Sequence, residues 1–313
     1  MPVQPSRASV VSGPFAHTAV AYGSDEDFLI LVPPLVLGGL RDGRSVLVAT
    51  CERKLALLDD ALGEDARRID RRITEEWHVN PVRTLAACCE YARRGKPTTI
   101  ISEPPWAGWD ERRTLDWIRY EAAINIALAG LPTAAWCLYD RTAAPGHLSR
   151  THPTFLNAHG VEPNRLYTPP EQLVLPGDGA PLPEPPATAA VTAFAPETMG
   201  ALRRAVTEQA RAAGMDRNLV ASLVLGVSEI AANSVEHGAG HGRVTLWTEG
   251  DELVCEITDP GGGLDDPLAG YRPPEPESQR GYGLWISRQL CDRVEIRNSP
   301  ETLRVRLYMS LRQ

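Results

Sequence analysis

Between Pro169 and Ala187 the chain carries seven prolines in nineteen positions. Proline has no amide hydrogen and a fixed φ, so neither a helix interior nor a central strand can run through such a stretch. The segment must be extended and semi-rigid. The halves on either side must therefore each bury a core of their own. A length of 313 residues allows this, since a domain takes about 100–200 residues. The boundaries read from the sequence are 14–167 and 190–313, with a linker over 168–189.

In the first half, short apolar runs alternate with helical patterns. His17–Tyr22, Ser45–Thr50, Thr98–Ser102 and Ala134–Tyr139 read as strands, and Arg67–Ile73 as a polar edge strand. Helices are expected between them, the first over Asp25–Leu40 with Ser24 as its cap and Pro33-Pro34 as a kink or break. Strands alternating with helices predict an α/β domain with a mainly parallel sheet, whose ligands bind beyond the carboxyl ends of the strands. The first such end, Tyr22-Gly23-Ser24, stands where a phosphate loop would, but it lacks the Gly-Lys-Ser/Thr that cradles phosphate. ATP is therefore not expected in this half. Trp106, Trp109, Trp117 and Trp136 read as core packing, with an apolar ligand pocket as the alternative. His147, His152 and His159 fit no tight ligand spacing, and no metal is expected there. The order of elements and the run Tyr22-Gly23-Ser24 resemble the MEDS sensory domain of methanogen, methylotroph and dichloromethane-regulator proteins. That resemblance implies a P-loop-like fold that has lost its nucleotide chemistry, serving as a sensory module for a small molecule. A surface for protein docking is the rival expectation.

The second half is organised around Leu219–Gly238. Leu219, Leu223, Val227, Ile230 and Ala231 recur at helical spacing and give one apolar face. Glu229 and Asn233, four apart, project from one side a turn from each other. Downstream, an apolar run ends in Asp259-Pro260-Gly261-Gly262-Gly263. After a Pro-rich loop, Gly281-Tyr282-Gly283-Leu284 opens another apolar helix. Two alternating pairs, 243–249 with 252–258 and 293–298 with 302–308, read as hairpins. Glu-x3-Asn on a helix, Asp-x-Gly-x-Gly after a strand and Gly-x-Gly-Leu at a helix start, in that order, resemble the GHKL ATP-binding superfamily. Within it the short domain is similar to the anti-sigma-factor serine-protein kinases of bacteria. The resemblance covers roughly residue 190 to the end and implies an α/β sandwich with a mixed sheet.

The same resemblance implies the roles. Asp259 accepts from the adenine amino group, and Gly261 and Gly263 let the backbone approach closely. Gly281 and Gly283 place free amides at a helix N-terminus beside phosphate, and Leu284 continues that turn. Asn233 offers an oxygen to Mg²⁺. Glu229 is the candidate catalytic base. His237, one turn past Asn233, and Arg280, just before the glycine turn, are further candidates for the phosphates. The cofactors implied are ATP and Mg²⁺. The implied activity is serine/threonine-protein kinase, regulating transcription by partner switching, and the implied partners are a sigma factor and an anti-sigma-factor antagonist. A nucleotide-gated binding protein without phosphotransfer is the alternative, and a homodimer is left open.

Net charge is −8. Residues 1–170 carry 19 basic and 20 acidic side chains, and residues 171–313 carry 13 and 20. An acidic second half is a poor match for phosphate backbones, so direct nucleic-acid binding is not expected. No uninterrupted apolar run approaches the ~20 residues that span a bilayer, and the first residues lack a signal-peptide pattern. A cytoplasmic, membrane-free protein is the expectation, with its six cysteines as buried thiols. An α/β domain stands where a histidine kinase would carry its phosphoacceptor helices. A gyrase-type ATPase is not expected, because no transducer domain follows the last strand.

Overall fold

The computed structural model describes residues 14–142, 146–157, 160–176, 178, 180–261, 264, 268–271, 274 and 282–312. It divides into two compact units, 1–176 and 177–313.

The first unit contains β1 (Phe15–Tyr22), α1 (Asp25–Arg41), β2 (Ser45–Thr50), α2 (Glu52–Leu62), β3 (Asp70–Ile73), α3 (Thr74–Trp77), α4 (Pro81–Ala92), β4 (Thr98–Ser102), α5 (Glu111–Ala127), β5 (Thr133–Asp140), β6 (Thr154–Asn157) and β7 (Gly160–Pro163). The sheet order is β3-β2-β4-β5-β1-β6-β7. Every pairing is parallel except the β6–β7 hairpin at one edge. That hairpin was not anticipated, because its strands are only four residues long.

Two features of α1 matter. It does not break at Pro33-Pro34 but runs unbroken for 17 residues. Phe28, Val32, Val36 and Leu40 recur every four residues and are buried, and their packing outweighs the hydrogen bonds the prolines remove. Its N-terminus is also unsuited to phosphate. Asp25, Glu26 and Asp27 fill the first turn, and Ser24 Oγ takes the Asp27 amide at 3.1 Å. The Gly23 amide donates to Asp27 Oδ2 at 2.8 Å, and Arg141 pairs with the same oxygen at 2.9 Å. The amide and cation that an anion would need are satisfied by the chain's own carboxylate. Beside it, Glu103 accepts from Lys54 at 2.6 Å and from Tyr22 and Thr50, closing the strand ends with a buried polar network.

The second unit contains β8 (Ala190–Phe194), α6 (Met199–Ala212), α7 (Arg217–His237), β9 (Gly242–Glu249), β10 (Glu252–Asp259), α8 (Tyr282–Leu290), β11 (Arg293–Ser299) and β12 (Thr302–Ser310). The strand order is β11-β12-β10-β9-β8, and among the described residues its pairings are antiparallel where a mixed sheet was expected. Both hairpins are antiparallel by their connections, and β8 pairs antiparallel with β9 across the two intervening helices α6 and α7. The long connection from β10 reaches β12 through α8 and β11 rather than by a parallel crossover.

Alternation along the strands assigns the two faces. Leu253, Cys255 and Ile257 of β10 and Val305, Leu307 and Met309 of β12 join the core with Leu223, Val227 and Ile230 of α7. By length and composition alone α7 is apolar enough to cross a membrane, yet its apolar side lies in this core. The opposite sheet face carries Glu256, which pairs with Arg306 at 2.6 Å and Arg304 at 3.0 Å. Segment 180–184 lies on that face. Arg304 pairs with Glu184 at 2.9 Å, Arg306 donates to the Pro183 carbonyl, and Arg297 donates to the Ala180 carbonyl at 2.7 Å. Part of the proline-rich segment is thus docked on the sheet rather than free.

Candidate functional site

The last turns of α7, the end of β10 and the start of α8 meet at one place. Helix α7 brings Glu229 and Asn233 there, both half-buried. Gly283, in the first turn of α8, lies so close to Asn233 that a Cβ on it would stand 2.6 Å from Asn233 Nδ2. Only a glycine at this position leaves the Asn233 amide its place. About two turns further back the two helices also touch at Gly226, whose carbonyl accepts from Ser287 Oγ of α8 at 3.2 Å.

Asp259 closes β10 and is buried, at 2% exposure. Its Oδ1 accepts the Gly261 amide at 2.8 Å and the Ala239 amide at 3.1 Å. Its Oδ2 faces Gly238, where a Cβ would collide with it at 1.7 Å. Gly261 packs equally tightly, since its Cβ would meet the Ala239 nitrogen at 2.7 Å. The turn after α7 and the turn after β10 are therefore locked together through one carboxylate. The sequence pointed to Asp259 and Gly261 but not to Gly238 and Ala239. The adjacency of His237-Gly238 to a helix end was the one signal available for them.

Leu284 follows Gly283 and is half-buried, with Gly270 of the long loop packed against its backbone. His237 ends α7 with an exposed ring 3.8 Å from Glu236. Gly263, Arg280 and Gly281 lie outside the described residues. Arg288 of α8 was not anticipated. It is buried, donates to the carbonyls of Ala269 at 3.2 Å and Val294 at 3.2 Å, and lies 4.1 Å over the Tyr271 ring. It ties one part of the loop between β10 and α8 to the helix.

The arrangement fits a magnesium nucleotide. A buried carboxylate is held rigidly by backbone amides, the glycines clear space that a Cβ would fill, and an amide side chain stands at the start of a helix. Asp259 would hold the base, Asn233 the metal, and the α8 amides the phosphates.

In the first unit, sequence reasoning missed a second group. His17, Glu121, Cys137 and His152 converge, all buried, although they come from β1, α5, β5 and the turn before β6. No local spacing could have signalled it. The tryptophans are mostly packed: Trp117 is fully buried and stacks on Trp109 at 5.3 Å.

Comparison with known families matches residues 192–309 to the histidine kinase-like ATPase domain and residues 16–153 to the MEDS domain, the methanogen/methylotroph, DcmR sensory domain. No curated protein matches the chain. A crystal structure of the RsbU and RsbW domains of a Mycobacterium tuberculosis protein is similar to it at 18% identity with a TM-score of 0.30. The match covers 39% of this chain and 32% of that one, too loose an overlap to inform function. The chain thus matches the MEDS domain in its first half and the histidine kinase-like ATPase domain in its second.

Proposed function

We propose that the C-terminal domain is an ATP-dependent protein serine/threonine kinase of the partner-switching type, governed by the MEDS domain. The observation that carries this reading is the placement of Glu229 and Asn233 one helical turn apart, with Asn233 against Gly283 at the start of α8. Bound with Mg²⁺, ATP supplies the phosphoryl group. Asn233 offers its oxygen to the ion, and Asp259 gives the pocket its selectivity for a base carrying an amino group. Glu229, a turn away, accepts the proton of an incoming hydroxyl. Gly261, Gly283 and Leu284 shape the walls, and His237 is assigned to the phosphate end; the roles expected for Gly263, Gly281 and Arg280 fall on residues outside the described ones. A sigma factor and its antagonist are the partners this reading assigns, with the antagonist as phosphoacceptor.

The test is retrieval of partners with the full chain as bait, followed by labelled-ATP transfer. Label on a Ser or Thr of a retrieved protein, abolished by Glu229→Gln while ATP still binds, supports the kinase. Absence of transfer combined with an ATP-dependent change in the partner retained overturns it in favour of a nucleotide-gated binding protein.

A further inference from the structure

The cluster of His17, Glu121, Cys137 and His152 has no place in nucleotide chemistry. Its four donor atoms all lie within 4.8 Å of one another, and the residues are at most 2% exposed. His17 Nε2 is 3.2 Å from Cys137 Sγ and 3.5 Å from Glu121 Oε2, and His152 Nε2 is 3.4 Å from the same oxygen. A tetrahedral ion with bonds of about 2.0–2.3 Å has donor–donor edges of about 3.3–3.8 Å. These three spacings lie close to those edges, and the other three are at most 4.8 Å.

The hydrogen bonds around the cluster set both imidazole tautomers. Asn125 commits its Nδ2 to the carbonyl of Thr151 at 2.8 Å and of Ala122 at 3.2 Å. Its Oδ1 therefore accepts from His17 Nδ1, 3.0 Å away. Thr151 Oγ1 donates to the Leu148 carbonyl at 3.0 Å, so it accepts from His152 Nδ1 at 2.9 Å. Both Nδ1 atoms are protonated, and both Nε2 lone pairs face inward. This is the outer-shell pattern that orients metal-binding histidines. Inside, the Tyr139 hydroxyl at 3.0 Å from His152 Nε2 and the Cys137 thiol are the only protons facing those lone pairs among the described residues. Neither oxygen of Glu121 accepts a hydrogen bond in good geometry, and no Lys or Arg among the described residues pairs with it. A buried carboxylate whose nearest polar neighbours are two imidazoles at 3.4 and 3.5 Å, with no well-aligned donor and no Lys or Arg, is unfavourable unless a cation joins it.

We propose that these four side chains form a closed binding site for one divalent d-block cation, with Zn²⁺ as the first choice. Two imidazoles, one thiolate and one carboxylate suit a borderline-soft ion. The two anionic ligands neutralise its charge, which a site without water requires. On binding, Cys137 forms a sulfur–metal bond and releases its thiol proton to solvent. Because that proton leaves on binding, uptake is proton-coupled. With four protein ligands the site has no open position, so it is structural. It ties β1, α5, β5 and the turn before β6 together.

The test uses the full chain, stripped with chelator under reducing conditions and titrated with Co²⁺ and then Zn²⁺. One Co²⁺ per chain with the visible bands of tetrahedral coordination and a thiolate charge-transfer band, all displaced by Zn²⁺, is expected. Cys137→Ser should lose the charge-transfer band, and Glu121→Gln should weaken binding about tenfold or more. If a variant fails to fold, alkylation of the wild-type chain decides. Zn²⁺ should slow modification of Cys137 and leave Cys255 unaffected. Absence of stoichiometric binding, a cobalt spectrum without thiolate, or equal protection of both cysteines overturns the proposal.

Discussion

Replacing Gly283 by alanine tests the site at its tightest point. The new methyl would stand 2.6 Å from Asn233 Nδ2 and 3.3 Å from its Cγ and Oδ1, whereas ordinary contact begins at 3.4 Å. Asn233 must therefore retreat by roughly 0.8 Å or change rotamer. A displacement of about 1 Å in a positioned group costs about 100-fold in transfer rate. The overpacking itself costs about 1–3 kcal/mol of stability. Gly226→Ala is the matched control on the same helix pair. Its methyl would meet Cys291 Sγ at 3.4 Å and Leu307 at 3.6 Å, both ordinary contacts. In the middle of α7 an alanine gains up to about 1 kcal/mol over glycine. Calorimetry of ATP binding with and without Mg²⁺, together with hydrogen exchange in α7 and α8, separates the two variants. Gly283→Ala should bind without its Mg²⁺ dependence, and Gly226→Ala should bind as the wild type and exchange no faster. Wild-type Mg-ATP affinity in Gly283→Ala would refute the placement of Asn233. Equal damage from both variants would show that the helix contact, not Asn233, is what matters.

Asp259→Asn keeps an acceptor for the amides of Ala239 and Gly261, so it should fold normally and still lose ATP affinity; in Asp259→Ala both amides are orphaned, at about 1–3 kcal/mol each, and urea unfolding should register this. Arg288→Ala removes the donor to Ala269 and the partner of Tyr271, and limited proteolysis should then cut near residues 268–271 faster than in the wild type. Removing Glu256 leaves Arg306 buried without its charge partner, a loss of about 3–5 kcal/mol that thermal unfolding of the second unit should report. His78 is fully buried, and desolvation lowers its pKa to about 4 from an ordinary 6.5. Between those values the unfolded chain binds the extra proton, so stability is complete above pH 6.5 and falls as pH drops toward 4, by about 3 kcal/mol for this group. A calorimetric pH series on the wild type and His78→Gln should show that part of the slope disappearing.

The sequence by itself determined most of the second unit. The α7 face, both hairpins, and the positions of Asn233, Asp259 and Gly283 were legible because helices and strands impose short periods and glycines mark close approach locally. The proline-rich segment itself was legible for the same reason, since φ and the missing amide are properties of the residue. The tertiary structure decided what short spacings cannot encode. Helix α1 passes through Pro33-Pro34 because sheet packing outweighs lost hydrogen bonds, and the second sheet is antiparallel because its long connection returns through α8 and β11. Asp259 proved to lock two turns together, a role that depends on Gly238 and Ala239, twenty residues earlier. His17, Glu121, Cys137 and His152 meet only because parallel strands and a covering helix bring distant residues into register. That convergence depends on how the chain closes in space, which no local pattern records.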